Sequence, residues 1–506
     1  MANALQTRNS ALAVLKEVTE GTPVAPSASS DYVALQDDFT MSPDFDILEN
    51  AELRASIGVS KPILGAENPT ASFSHYLRSS GVEGTAPNYG LLLESALGGV
   101  RTLGARDSVD SSTTAATTLT VGSGADWARG DAAIILDSTN GFSIRNVADV
   151  TGDVLTWDFE LEAAPANGVE LSRFVTYYPT QVDQPTLTLW HYVANQGAIQ
   201  MMSGVRPTSA AMTIDAGELI NVNYSFEGQE YFFDPIEITS TTDTLDFTDD
   251  DGTFQVAIAN KYYKDPNDVA QALQDAMNAS GTTETHSVVY NNRGADQGKF
   301  TISSSTSAVL SLLWNTGAGA ANTIAGKIGF DNAADDTGAT TYTSDNIQDW
   351  STPQSASFDD ADPLAAKANE LFIGTADQNF CIPASSVTMN IDLTRVNVES
   401  ICTDSGRDGS VISERSVPIT VTAILEKDDA DKFHKFHENQ EVAFAYHYGE
   451  KSGGNWVVGK SGSLYTPTAT INSFEVADAD GLVVVNLGLQ AFVNSDGEDE
   501  VFANFL

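Results

Sequence analysis

The chain has 506 residues, and 42% of them are hydrophobic, which suffices for the apolar cores of about three domains. It contains 25 Lys and Arg against 69 Asp and Glu, so its formal net charge is −44. A surface this poor in cations gains no affinity by displacing counterions from phosphates, which argues against a nucleic-acid binder and against an anchor on acidic lipid.

The first helix that the sequence predicts follows Thr85-Ala86-Pro87. Thr85 can cap a helix and Pro87 suits its first turn, while Gly98-Gly99 ends it. Five apolar residues recur at helical spacing on one face: Tyr89, Leu92, Leu93, Ala96 and Leu97. We expect this helix to lie on a sheet.

Residues 101–175 predict a small all-β module that is inserted into the surrounding sequence. They open with a run rich in Ser and Thr at 108–118. Short strand-like runs follow at the intervals of a small barrel, at 132–136, 142–147, 154–159 and 169–174.

Alternation of apolar and polar residues with period two predicts that the protein is mainly β. The alternating residues fall in five stretches: 212–216, 220–226, 387–393, 417–425 and 483–491. Because only the turn-like Gly217-Glu218 and its neighbours separate the first two stretches, we expect them to form an antiparallel pair.

Residues 238–350 predict a second insertion, an α+β module. Its helix begins near Asp265-Pro266, and the apolar face of that helix comprises Val269, Ala272, Leu273, Ala276 and Met277. The predicted strands lie at 244–247, 254–257, 287–290, 300–303 and 310–314, with a small helix at 324–330.

A third helix is predicted near 428–438, where Asp428 can cap the first turn and Phe433 and Phe436 are the buried anchors. The insertions leave one discontinuous β domain. The predicted domains are a core over 1–100, 176–237 and 351–506, a small β domain over 101–175, and an α+β domain over 238–350.

The sequence contains no motif for catalysis or cofactor binding, so we expect no enzyme activity and no cofactor. The Gly-Ser-Gly at 122–124 and the Gly-Ala-Gly at 317–319 lack the Gly-Lys-Ser/Thr of a phosphate loop, and no G-x-S-x-G is present. The acidic runs at 249–251 and 496–500 offer a calcium site as an alternative, but neither has the twelve-residue loop with its distal Glu. We interpret both runs as solvated turns.

A metal site built from histidines is the other alternative. His434, His437 and Glu438 lie within about one helical turn, and His447 on the following strand could add a third ligand. The spacing H-x-x-H-E differs from the H-E-x-x-H of zinc proteases. We favour histidines at the edge of a packed helix and expect no metal.

Two observations bear on where the chain folds. Cys381 and Cys402 are its only cysteines, which is too few for a disulfide scaffold. The first residues lack a basic segment followed by an apolar one, and no stretch approaches 18 apolar residues. We expect folding in a cytoplasm without a membrane anchor.

Ordered blocks across about 320 residues resemble the major tail tube protein of siphophages, whose long non-contractile tails are familiar from phage lambda. The blocks are the opening run 9–23 with its T-E-G-T turn, the strand 69–78 that leads through Gly84-Thr85-Ala86-Pro87 into the Leu-rich helix, 186–192, and 202–228. The resemblance implies a barrel-forming β-sandwich core with a flanking helix. The two insertions are similar to accessory modules that some tail tubes display outside.

The resemblance also implies a structural virion protein in the phage tail, assembled in the cytoplasm of the host bacterium. Its copies form homohexameric rings that stack into a tube, and duplex DNA passes through the lumen without specific binding. The implied partners are tape-measure, tail terminator and distal tail proteins, and a host surface that the outer modules contact.

Stacking requires an element that reaches a neighbour, and residues 401–416 are the candidate. This polar stretch separates predicted strands that end near Val398 and start at Val417. Its charged residues are Asp404, Arg407, Asp408, Glu414 and Arg415. We predict that they contact the next ring or subunit; the alternative is a mobile hairpin tip.

Two other functional classes stay open at this point. A phage decoration or surface-binding protein is also acidic and rich in β-structure. A carbohydrate-active adhesin or hydrolase requires a converging pair of carboxylates, which the sequence does not suggest. Rings or tubes in electron micrographs of the purified chain favour the tube subunit over both.

Overall fold

The structure is a computed structural model. It describes residues 10–27, 31–52, 58, 60–102, 104–110, 116–182, 184–193, 198–347, 358, 361–374, 380–381, 383–403, 405–425, 441–479, 481–494 and 497–506. Its internal contacts divide the chain into two compact units. The smaller unit comprises Met1–Ser10, His191–Met201 and Phe232–Pro353, and the larger unit comprises Ala11–Trp190, Met202–Tyr231 and Gln354–Leu506.

The described residues form 35 β-strands and two α-helices, so the protein is mainly β, as predicted. The elements up to residue 193 are β1 (Ala11–Lys16), β2 (Tyr32–Val33), β3 (Thr40–Ser42), β4 (Phe45–Leu48), β5 (Ile63–Glu67), β6 (Thr70–Tyr76), α1 (Gly90–Leu97), β7 (Gly98–Thr102), β8 (Asp107–Ser108), β9 (Thr118–Thr120), β10 (Ala132–Asp137), β11 (Gly141–Thr151), β12 (Val154–Trp157), β13 (Glu170–Arg173), β14 (Val175–Pro179) and β15 (Leu187–Val193). Next come β16 (Ala198–Asp215), β17 (Asn221–Glu227), β18 (Glu230–Phe233), β19 (Ile236–Ile238), β20 (Thr244–Asp249), β21 (Gly252–Ala257), β22 (Lys261–Tyr263), α2 (Pro266–Asn278), β23 (His286–Tyr290), β24 (Phe300–Ser304), β25 (Leu310–Leu312), β26 (Asp336–Ala339) and β27 (Thr341–Thr343). The last elements are β28 (Glu370–Gly374), β29 (Phe380–Cys381), β30 (Ala384–Glu399), β31 (Arg407–Ile424), β32 (Glu441–Ser452), β33 (Asn455–Ala479), β34 (Leu482–Ala491) and β35 (Phe502–Phe505).

The larger unit contains an antiparallel sheet in the order β3–β6–β17–β16–β30–β31–β34–β33. Successive side chains of a strand point to opposite faces, so an alternating sequence produces one apolar face. One row of cross-strand partners on that face is Val222, Met212, Met389, Ile419 and Leu489, all of them buried. The alternating stretches thus form strands, and the first two belong to the expected antiparallel pair, β16 with β17, in which 206–213 pair with 221–227.

Helix α1 packs through the predicted apolar stripe, but it begins later than predicted. Leu92, Leu93 and Leu97 are fully buried in the core of the larger unit. The helix begins at Gly90, and the side chain of the preceding Tyr89 makes no capping hydrogen bond. Thr85 does not cap it, because the residue at the N-cap position is Tyr89; Thr85 lies earlier, in a turn that its amide closes onto the carbonyl of Val82.

The segment 107–173 folds into a six-stranded sheet in the order β8–β13–β10–β11–β12–β9. Its own apolar cluster includes Trp157. Two further clusters connect this sheet to the long strands of the larger unit, because Ile134 packs with Trp456 and Phe159 packs with Tyr465. The segment therefore buries part of its apolar surface on the rest of its unit.

The smaller unit contains the α+β elements that the sequence predicts between 244 and 314. Helix α2 is confirmed with its cap, since the Asp265 carboxylate accepts a hydrogen bond from the Asn267 amide at 2.8 Å. Its buried face packs with the strands in one apolar cluster. The predicted helix at 324–330 is a single 3₁₀ turn, Ala325–Ile328, which a left-handed Gly329 ends.

The third predicted helix lies outside the described residues and stays a prediction, as do the domain boundaries. Neither described α-helix is long and apolar enough to span a membrane.

Candidate functional site

The outward face of the large sheet is covered with hydroxyl and amide side chains. The strand registers place the following residues on this side, which we call the hydroxyl-amide face: Ser72, Ser209, Thr213, Asn221, Asn223, Ser225, Ser386, Thr388, Asn390, Ser416, Thr420, Thr422, Asn486 and Gln490. Neighbouring strands are joined across it, since the Thr422 hydroxyl donates to the Asn486 side-chain oxygen at 2.9 Å. The face is polar and almost uncharged.

The few charges on the hydroxyl-amide face are acidic. Asp215 pairs in register with Ser386, and Asp392 pairs with Ser209 and Ser416, so both carboxylates belong to this side of the sheet. Residues paired across neighbouring strands form rows on this face. One row contains Ser72 and another contains Asn486, and no Lys or Arg is found among the described partners in these two rows or in the rows between them. An anion that meets this face therefore finds no cation to bind.

The large sheet does not close on itself within the part of the chain that the structure describes. At one end, residues 455–470 of β33 pair on their second side with β32 or β35, but residues 473–479 pair with β34 only among the described strands. At the other end, β3 is a three-residue strand that pairs only with β6. Open strand edges present unpaired backbone groups, which can pair with another chain.

The predicted polar loop at 401–416 is shorter in the structure, because β31 already begins at Arg407 and pairs with β30 back to Glu399. The two strands form one long hairpin, in which the last pair before the turn is Glu399 with Arg407. Asp404 lies outside the described residues. Asp408 and Glu414 are exposed, whereas Arg407 is buried.

Arg415 is committed to contacts within its own chain. Its guanidinium lies 2.5 Å from the Glu500 carboxylate and donates to the carbonyls of Leu97 and Thr180 at 2.9 and 3.0 Å. Leu97 is the last residue of α1, so the cation satisfies a carbonyl at the negative end of that helix. Arg415 therefore stabilises its own subunit. The structure does not bring it together with Arg407 or Asp408.

A partly buried polar network that the sequence did not predict holds the outer part of the β30–β31 hairpin. Arg206 contacts the Glu20 carboxylate at 3.0 Å, and the Ser410 hydroxyl donates to the same carboxylate at 2.7 Å. Arg395 lies 3.5 Å from Glu227. Burial lowers the pKa of Arg395 to about 10, although Glu227 opposes the shift. The sequence did carry a signal for this network. The chain has few basic residues, and Arg206 and Arg395 lie within strands, where a charged side chain needs a partner.

Two hairpins of the larger unit expose large apolar side chains. These exposed residues are Phe45, Ile47 and Leu48 on β4, Ile63 and Leu64 on β5, and Val396, Val398, Ile401 and Val411 on the outer part of the β30–β31 hairpin. Exposed carboxylates lie among them, at Asp46, Glu399 and Asp408. The two hairpins touch, because the Glu67 amide donates to the Ser405 carbonyl at 3.2 Å. The apolar pairs Ile47-Leu48 and Ile63-Leu64 were the available sequence signal for β4 and β5.

The structure places His447 in a buried structural contact. Its Nε2 lies 3.1 Å from the Asn146 side-chain oxygen, which also accepts a hydrogen bond from the Ser463 hydroxyl at 2.8 Å. Burial lowers the pKa of His447. His434, His437 and Glu438 lie outside the described residues. Among those that are described, no three His, Cys, Asp or Glu side chains are grouped to hold a metal ion.

The acidic run at 249–251 binds its own chain. Asp249 lies 3.1 Å from His286 Nε2, and the Thr282 hydroxyl donates to the same carboxylate oxygen at 2.6 Å. Asp251 accepts the amide of Thr283 at 2.6 Å. These contacts tie a strand turn to the segment after α2.

A groove of about 680 Å³ between the six-stranded sheet and β28 is polar. Arg145 lines it, and the guanidinium of Arg145 already contacts groups of its own chain. The Arg145 guanidinium donates to the carbonyls of Phe159 and Glu160 at 3.0 and 2.8 Å and lies 5.3 Å from the ring centre of Phe372. This arrangement fixes the sheet on its unit.

Comparison with known proteins gives no relative to argue from: no protein-family model matches the chain, and no curated protein matches it either.

Proposed function

We propose that the chain is the major tail tube subunit of a long-tailed phage, a structural protein whose copies form stacked hexameric rings around a DNA-conducting lumen. The observation that carries the proposal is a sheet with one hydroxyl-amide face and two open edges. The ordered sequence blocks that resemble siphophage tail tube proteins support the same proposal. The proposed location is the virion tail.

The hydroxyl-amide face suits a wall past which duplex DNA slides. Duplex DNA carries a negative charge about every 1.7 Å of its length, and proteins hold it chiefly by placing Lys and Arg against phosphates. A face with Asp215 and Asp392 and without a basic residue in its described rows offers no such contact. Its hydroxyls and amides stay hydrated, so the moving duplex meets a wet and weakly repelling surface.

The open edges suit closure by identical copies. If each of six subunits adds about four long strands at roughly 4.8 Å spacing and a tilt near 45°, the barrel has a diameter on the order of 50 Å, which admits a duplex. Closure removes the edges that otherwise risk aggregation. The tape-measure, tail terminator and distal tail proteins are the further partners of this proposal.

Electron microscopy of the purified chain at rising concentration tests the proposal. We expect rings and tubes with a central bore, because edge pairing between copies is a bimolecular step that concentration favours. A chain that stays monomeric at every concentration and binds glycans would support the adhesin alternative and contradict the tube. A chain that stays monomeric but binds assembled capsids would support the decoration alternative.

A further inference from the structure

We propose that the outer part of the β30–β31 hairpin encloses a binding site for a small monovalent anion of the halide class, with the guanidinium of Arg407 as its principal ligand. The site lies within one chain and goes beyond the proposed function. It follows from a buried cation that the described residues leave without a counter-ion. The bound anion stabilises the folded hairpin by balancing that charge.

Arg407 is a buried guanidinium without a partner among the described residues. The residue exposes 5% of its surface, and its Nε and Nη1 atoms are enclosed and make no hydrogen bond. No described carboxylate forms an ion pair with it. A guanidinium keeps its proton at any ordinary pH, so the chain cannot remove this charge by deprotonation. A buried charge strongly destabilises the folded chain unless an ion of opposite charge lies beside it.

Two further arginines lie near Arg407, and each of them has a carboxylate. Arg206 contacts Glu20 at 3.0 Å, and Arg395 lies 3.5 Å from Glu227. The charge of Arg407 is among the causes that lower the pKa of Arg395, so these two guanidiniums are close enough to repel each other. Arg407 therefore places a second buried charge near Arg395 and has no carboxylate of its own.

The other polar groups of this part of the larger unit do not supply a counter-ion. Glu17 is engaged with backbone amides at 2.8 and 2.9 Å, and Glu67 accepts another amide at 2.9 Å. The enclosed side-chain oxygens of Asn397 and Gln229 make no hydrogen bond. A neutral oxygen can accept a hydrogen bond from a guanidinium, but it balances no charge. An anion from solution does both for Arg407.

The surroundings of Arg407 favour a small anion with a single charge. One guanidinium carries one positive charge, which a halide ion balances without excess. An ion that reaches the enclosed Nε and Nη1 atoms must be small. The chain as a whole carries −44, and this charge repels a divalent anion about twice as strongly as a monovalent one. We therefore expect chloride in preference to phosphate or sulfate.

Urea denaturation of the full chain, dilute enough to sediment as a monomer, tests the site. Chloride is exchanged stepwise for gluconate, an anion too bulky for an enclosed site, at a constant ionic strength of about 0.2 M. Arg407→Met removes the cation and keeps much of the side-chain length. Arg106→Met is the matched control, because that guanidinium already contacts Glu83 and Glu170 within the same unit.

We expect chloride to stabilise the parent, because an ion that binds only the folded chain shifts the folding equilibrium towards it. At about ten times its Kd, chloride should raise the ratio of folded to unfolded parent about elevenfold. Arg106→Met should show the same dependence on chloride, which accounts for any general effect of the two anions. Arg407→Met should lose the dependence.

A second measurement applies even if Arg407→Met does not fold. Crystals of the parent are soaked in bromide, whose anomalous scattering locates the ion. We expect a bromide peak within hydrogen-bond distance of the Arg407 guanidinium.

Three results would overturn the inference. The first is a parent whose dependence on chloride persists in Arg407→Met, and the second is a bromide map without a peak at Arg407. The third concerns Asp404, which lies outside the described residues. If the parent does not respond to chloride but Asp404→Asn does, the chain's own carboxylate balances Arg407 and no ion binds in the parent. None of these readouts depends on whether copies form rings.

Discussion

The β30–β31 hairpin has an inner half, around Met389 and Ile419, and an outer half, between Thr394 and Glu414. The two halves differ in which side chains they bury. In the inner half, Met389 and Ile419 are buried and Thr388 and Thr420 face outward. In the outer half, valines are exposed, while the guanidinium of Arg395 is buried against Glu227 and backbone carbonyls. The inner half thus follows the pattern of a folded core, whereas the outer half exposes apolar side chains and buries a guanidinium.

This contrast shows that β30 and β31 extend beyond the apolar core of the larger unit. Alternation in the inner half stabilises the subunit, because every second side chain enters the apolar cluster. The outer half adds little to that cluster and is fixed by polar contacts instead. Two pairs of substitutions and one single variant can break or sharpen the comparison.

The largest effect is expected where a buried ion pair stands beside an exposed charge. Arg415→Met leaves the buried Glu500 carboxylate without its cation, so we expect the free energy of unfolding to fall by about 3–5 kcal/mol. Glu414→Gln, on the exposed neighbour, should change it by less than about 0.5 kcal/mol. Urea denaturation of the dilute protein measures both. Equal effects would mean that Arg415 is not part of the core.

The next effect compares apolar residues of the two halves directly. Ile419→Ala removes buried volume from the sheet core and should lower the free energy of unfolding by about 2–5 kcal/mol. Val396→Ala on the exposed outer half should lie within about 0.5 kcal/mol of the parent. The same denaturation experiment applies. A large loss for Val396→Ala in the dilute protein would show that the outer half is core as well.

The smallest of the three expected effects concerns a histidine on the apolar face of the large sheet. His75, which pairs with Val222 and lies against the ring of Tyr89, is buried, and burial lowers its pKa to about 4. An unfolded His has a pKa of about 6.5, so between about pH 6.5 and 4 the unfolded chain binds a proton that the folded chain rejects.

Stability contributed by neutral His75 is therefore complete above about pH 6.5 and falls by about 3 kcal/mol as the pH drops to 4. His75→Phe keeps an aromatic ring between the neighbouring tyrosines and should flatten this part of the pH dependence. Denaturation at pH 7, 5.5 and 4 measures the difference. Parallel curves for the parent and the variant would contradict the assignment.

The sequence predicted most of what depends on local periodicity. Alternation located the inner halves of β30, β31 and β34, and the stripe from Leu92 to Leu97 located α1. The predicted start of α1 was wrong because the chain forms turns at 82–85 and 87–90 before the helix begins at Gly90.

The candidate contact residues depended on pairings that are distant in the sequence. Ser410 meets Glu20 across 390 positions, and Arg415 meets Glu500 across 85. A polar stretch such as 401–416 reads as a loop when these partners are unknown. That the charged residues of 401–416 contact the next ring or subunit stays a prediction; the exposed residues of the outer hairpin include Glu399, Asp408 and Glu414 besides its aliphatic side chains.

A cryo-electron microscopy map of the assembled chain tests the central claim most directly. The account predicts sixfold rings in which the edge of β33 meets a strand of the next copy and Thr388, Thr420 and Asn486 face the bore. A ring whose bore is lined by other strands, or a particle in which the large sheet keeps both edges free, would contradict it.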